Sequence, residues 1–132
     1  MSGAVYILDA HAIIWYLAGD ARLSDRAATA IECPGALIVV PAIVLAEVAS
    51  CHARGRTSVS LADALRFIDE VDNCVDCPTD RQVVELMPAG QDIHDGLIVA
   101  TTLLYERVLG CRATLITRDE QITASGLIPT PW

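Results

Sequence analysis

Four carboxylates in this chain fall where acids do chemistry. Asp9 ends the apolar run Val5-Tyr6-Ile7-Leu8. Glu47 sits inside Ile43-Val44-Leu45-Ala46-Glu47-Val48-Ala49. Asp95 follows Asp92-Ile93-His94, and Asp119 follows Leu115-Ile116-Thr117-Arg118. Anionic groups brought close together repel, and they either take up protons or share a cation. Oxygen-only donors suit magnesium or manganese rather than zinc. Such an ion can orient a water, help deprotonate it and neutralise charge developing on a phosphate. It would also invert the local field of an acidic protein toward a phosphate substrate. Each acid has a plainer alternative. Asp9 could cap a helix beginning at Ala10. Asp95 could be a first-turn acid in a capping arrangement with Asp92, and Asp119 could cap a short terminal turn. Glu47 is harder to explain that way. A carboxylate on so apolar a segment reaches water at an edge or has a partner, and its neighbours in sequence offer no cation nearer than His52.

The elements that would position these acids alternate between strand and helix. Residues 4–8 and 36–40 are short continuous apolar runs, the pattern of strands covered on both faces. Residues 113–117 form another strand, 73–77 a weaker one, and 127–130 a short last one. Helices are expected at 10–18, after Ser24 as N-cap, from Pro41 to about His52, and from Ser60-Leu61-Ala62-Asp63 to about Val71. A further one follows the box Thr79-Asp80-Arg81-Gln82 and ends near Pro88, and a long one runs from Asp92–Asp95 to Leu109, closed by Gly110. Alternation of this kind implies a three-layer α/β/α sandwich around a parallel sheet of four to five strands. In such a sheet ligands bind beyond the carboxyl ends of the strands, and all four acids are expected at that edge.

Composition bounds the rest. The chain has 132 residues, 53% hydrophobic and 20% charged, which fits one folded domain over residues 1–132. No apolar stretch is long enough to span a bilayer, and no basic leader precedes the first strand, so a cytoplasmic location is expected. Cysteines 33, 51, 74, 77 and 111 are odd in number and scattered, as in a reduced compartment. Cys74 and Cys77 form a lone C-x-x-C without a second pair, read as structural. A net charge of −8 argues against broad attraction to nucleic acid. All nine cationic residues are arginine, which suits bidentate phosphate contacts. The lack of lysine removes the P-loop and Schiff-base chemistries.

Four segments in order carry a family likeness: Tyr6 to Leu17 around Asp9, Pro41 to Ala49 around Glu47, Asp92 to Thr102 around Asp95, and Leu115 to Ile122 around Asp119, with the tail Gly126–Trp132. In these the chain resembles the PIN-domain ribonucleases, most closely the VapC-type toxins of toxin–antitoxin pairs. The resemblance implies a PIN-like fold and metal-dependent endoribonuclease activity on RNA. It implies Mg²⁺ or Mn²⁺ held by Asp9, Glu47, Asp95 and Asp119, a homodimer, and a cognate antitoxin that blocks the site. Thr117 matches a polar position near the site, and Asp92 a frequent extra acid. His11 matches a position commonly histidine, read as a supporting residue. Arg118 is a candidate phosphate contact or a solvated turn residue. Where relatives carry arginine after the third acid this chain has Gly96, and their Asp-Pro pair is Asp92-Ile93.

Two other readings compete. An α/β phosphohydrolase with an Asp nucleophile would want Asp-x-Asp and a lysine, but His11 holds the third position and lysine is absent. A non-catalytic module of the same fold would use its surface for a partner; the exposed candidates for an antitoxin groove are Trp15, Tyr16 and the helices around residues 42–70. Retention of all four acids speaks against it.

Overall fold

The structure is a computed structural model, and it describes residues 3–118. Its elements are β1 (Val5–Leu8), α1 (Ala10–Ala18), α2 (Asp25–Ile31), β2 (Leu37–Pro41), α3 (Ala42–Ala53), α4 (Leu61–Glu70), β3 (Cys74–Cys77), α5 (Arg81–Glu85), α6 (Ile93–Leu109) and β4 (Ala113–Ile116). The alternation expected from sequence is therefore present. The strand expected at 127–130 lies outside the described residues.

The sheet is four-stranded in the order β3-β2-β1-β4, with every pairing parallel. Parallel neighbours require crossovers, and a right-handed crossover puts its helices on a face set by the direction of travel. From β1 to β2 to β3 the chain moves one way, so α1–α2 and α3–α4 belong to one face. From β3 to β4 it moves back across the sheet, so α5 and α6 belong to the other. The packing agrees: α1, α3 and α4 contact one another, α5 packs on α6, and α6 lies on β1 and β4.

The strands form because both faces are covered. Ile7, Leu8, Ile38, Val39, Val40, Leu115 and Ile116 have no exposed surface, and burying each such side chain contributes about 1.5–3 kcal/mol. Edge strand β3 is the exception. Val75 and Asp76 are exposed while Cys74 and Cys77 are buried. Three residues apart on a strand, those two thiols point to opposite faces, so they form neither a metal clip nor a redox pair. Burial and the nearby Asp76 push the Cys74 thiol up to about 12. The structural reading of that motif stands.

The helix boundaries follow side-chain caps. Ser24 Oγ accepts from Ala27 N at 3.1 Å. Ser60 and Asp63 cap each other reciprocally at 3.1 and 2.9 Å. At α5 the cap is one residue later than the box read from sequence. Asp80 Oδ1 accepts from Val83 N at 3.2 Å, because an aspartate competes better for this place than the adjacent Thr79. Gly19 and Gly110, at φ +66°, close α1 and α6 in the left-handed conformation that costs glycine least.

Candidate active site

The strand order reverses between β1 and β4, since β1 leads to β2 on one side while β4 arrives on the other. A crevice opens beyond the carboxyl ends at such a switch point. Asp9 stands there. Its backbone N–H donates to Ile116 O at 3.3 Å, continuing the pairing of Leu8 with Ile116. This sets Asp9 level with Thr117, which is 1% exposed. Arg118 follows it in the chain; Asp119 lies outside the described residues.

Asp9 is 7% exposed and is the N-cap of α1, with Oδ1 accepting from Ala12 N at 2.8 Å. The capping alternative is therefore real, and the cap fixes the side chain at the crevice. Asp92 does the same for α6, accepting from Asp95 N at 2.8 Å. Asp95 is half-buried on the first turn of α6, where the helix dipole favours an acid.

Glu47 joins these groups from α3. One of its oxygens, Oε1, is buried without a hydrogen-bond partner in the protein. Burial pushes its carboxyl above the usual range, and so do Asp9 and Asp92, while the imidazoles of His94 and His11 pull the other way. Only groups near Glu47 exert such effects, so the start of α1, the middle of α3 and the start of α6 converge here. Glu47 and His94 line one cleft of about 320 Å³ together with Ser50, Cys51, Arg54 and Arg56. The imidazoles that act on Glu47 come from α6 and α1, far from it in sequence, while Arg54 and Arg56 line the same cleft from the end of α3. His94 was legible only as the residue between two acids on a helix start. His11, expected to support Asp9, is exposed and stacks on Trp15 at 5.0 Å and 23°.

A cation fits this set by the chemistry of the donors. All are carboxylates, two of them raise the protonation tendency of Glu47, and its Oε1 has no protein donor to satisfy it. An unsatisfied buried oxygen costs free energy, and a hard divalent ion is the partner such oxygens accept. Among the described residues no three His, Cys, Asp or Glu side chains already form a ligand group. With Asp119 outside them, the described part supplies Asp9, Glu47, Asp92 and Asp95 around the crevice.

A parallel α/β domain with acids massed at the switch point of its sheet is the class of protein this geometry defines. The PIN domain family matches residues 6–125, and the chain belongs to that family. Among solved structures, a chain in the crystal structure of VapBC2 from Rickettsia felis, bound to a DNA fragment from their promoter, superposes with a TM-score of 0.62 at 14% identity. The match covers 97% of this chain and 98% of that one. At that identity the likeness is one of fold. No curated protein matches the chain.

Proposed function

We propose that this protein is a metal-dependent endoribonuclease that hydrolyses RNA phosphodiester bonds, acting as the VapC-type toxin of a toxin–antitoxin pair. The observation that carries the reading is Glu47: a carboxylate with an unpartnered buried oxygen, pressed by Asp9 and Asp92 at the switch point of the sheet. Asp9, Asp95 and Asp119, with Glu47 completing the set, would hold a magnesium or manganese ion. Bound there, it would acidify a water and neutralise charge on the phosphate.

The chain's own residues do the rest. The caps at the starts of α1 and α6 hold Asp9 and Asp92 in place. Burial, Asp9 and Asp92 raise the affinity of the Glu47 carboxyl for a proton, and a bound cation would favour its charged form. Arg54 and Arg56 at the cleft mouth are placed to contact backbone phosphates. Membership of the PIN family supports the nuclease class. The VapBC2 neighbour supports an antitoxin partner for this chain. A homodimer, a cytoplasmic location and action as one domain over residues 1–132 complete the proposal. No described helix is long and apolar enough to cross a membrane.

The test is cleavage of RNA with Mg²⁺ or Mn²⁺, expected to stop with EDTA and with Asp9→Asn. Full activity in Asp9→Asn would remove the site. Calorimetric titration that detects no Mn²⁺ binding would return the chain to the non-catalytic reading.

A further inference from the structure

The cleft into which Glu47 opens holds a second kind of donor. His94 lines it beside Glu47, Ser50 and Cys51. Burial apart, its imidazole is the strongest of the charged groups acting on Glu47, ahead of Asp9, His11 and Asp92. That nearness is not a bond. Glu47 Oε1 is buried with no hydrogen-bond partner, and among the described residues no ion pair joins the two side chains. A carboxylate and an imidazole thus face one cleft of about 320 Å³, and neither satisfies the other.

The two histidines near Glu47 differ in what holds them. His11 lies flat on Trp15, ring to ring at 5.0 Å and 23°. His94 is exposed on the first turn of α6. The backbone of that turn is fixed: Asp92 Oδ1 accepts from Asp95 N and Asp92 O from Gly96 N, each at 2.8 Å. Its imidazole, by contrast, is free to swing as exposed side chains do. Arg54 and Arg56 line the cleft too, but both are exposed, so water and salt screen their charge from a cation.

We propose that His94 is a nitrogen ligand to the divalent ion of the acid crevice, joining Glu47 from the start of α6, and that it makes the site select Mn²⁺ over Mg²⁺. The proposal rests on the metal-site reading above and names one further donor of that site. Magnesium is a hard ion that keeps oxygen ligands and waters, whereas an imidazole nitrogen suits manganese and the later divalent metals. A histidine that served only as a charge partner of Glu47 would set no such preference. Among the described residues no three donors are gathered in advance. The ion would therefore draw the ring to Glu47, which needs a side chain that moves. His94 is such a side chain, and His11, stacked on Trp15, is not.

The experiment uses the full chain, free of any added histidine tag and loaded with Mn²⁺. Pulsed electron paramagnetic resonance reads it, because a coordinated imidazole nitrogen modulates the electron spin echo. The parent should show that modulation, His94→Gln should lose it, and His11→Gln should keep it. By calorimetry, His94→Gln should bind Mn²⁺ about tenfold more weakly and Mg²⁺ about as well as the parent. Its melting temperature in EDTA should match the parent's, since the side chain is exposed. Mn²⁺ bound without nitrogen modulation overturns the proposal and leaves the carboxylate site standing. Modulation that survives in His94→Gln overturns it too and assigns the nitrogen to another group. A parent that binds neither ion sinks the metal-site reading and this ligand with it. Modulation that depends on His94 in a chain that cleaves no RNA supports the ligand while sinking the nuclease reading, so the failures are distinct.

Discussion

At Asp9 a single side chain serves two purposes, and two substitutions separate them. Asparagine caps a helix about as well as aspartate. Asp9→Asn should therefore lose cleavage while melting no lower than the parent in chelator, since it also relieves the pressure on Glu47. Asp9→Ala should lose cleavage and about 1 kcal/mol of stability as the bond to Ala12 N disappears. Thermal melts beside the cleavage assay decide it. Glu47 predicts a pH dependence. Its carboxyl titrates above the ordinary value of 4.5 because burial disfavours the charge. Between the ordinary value and the raised one, the folded chain binds more protons than the unfolded one, so metal-free stability falls as pH rises through that window. Melting temperatures in EDTA should decline as pH rises from the ordinary 4.5 through that window, and Mn²⁺ should raise them most at its upper end. A melting temperature that Mn²⁺ shifts equally across this range would refute the role of Glu47.

Among the elements, α6 shows best how the fold constrains the site. Gly96 follows Asp95 and is buried; a Cβ there would come within 3.0 Å of Met87 Cε and 3.7 Å of Gln91 Cβ. The loop after α5 thus closes over Gly96. Gly96→Arg should destabilise by about 1–3 kcal/mol through overpacking, visible as a lower denaturation midpoint with the slope unchanged. On β3, Cys74 and Cys77 should resist iodoacetamide in the native protein and react only on unfolding. The half-buried Cys33, Cys51 and Cys111 should be modified sooner.

These elements also show what a sequence carries. Strands β1, β2 and β4 were legible because a chain covered on both faces is apolar at every position. The Ser24 and Ser60 caps were legible because a cap is a local interaction. The α5 cap was displaced by one residue because Thr79 and Asp80 both qualify, and only the path of the chain selects Asp80. Asp9 could be placed at the carboxyl edge because alternation of strand and helix fixes that edge, whereas Asp119 lies outside the described residues. The neighbours of Glu47 could not be found that way. His94 reaches it from α6 through helix packing, which leaves no periodic trace, and the gathering on Trp15 of Arg22 and Arg118 comes from opposite ends of the described chain.

On the scale of the molecule, the site joins the first strand of the chain to the last described one. β1 sits inside the sheet with β2 on one side and β4 on the other. A truncated chain ending before Ala113 removes β4 and uncovers the edge of the strand carrying Asp9. Such a product should neither cleave RNA nor stay monodisperse in size-exclusion chromatography, because an open apolar edge recruits other chains. During synthesis the same geometry acts as a timer. Asp9 and Glu47 leave the ribosome early, but the wall that turns them into a crevice arrives only once β4 has followed α6. An enzyme built on this plan would stay idle on the ribosome until the segment beyond α6 had emerged and paired with β1.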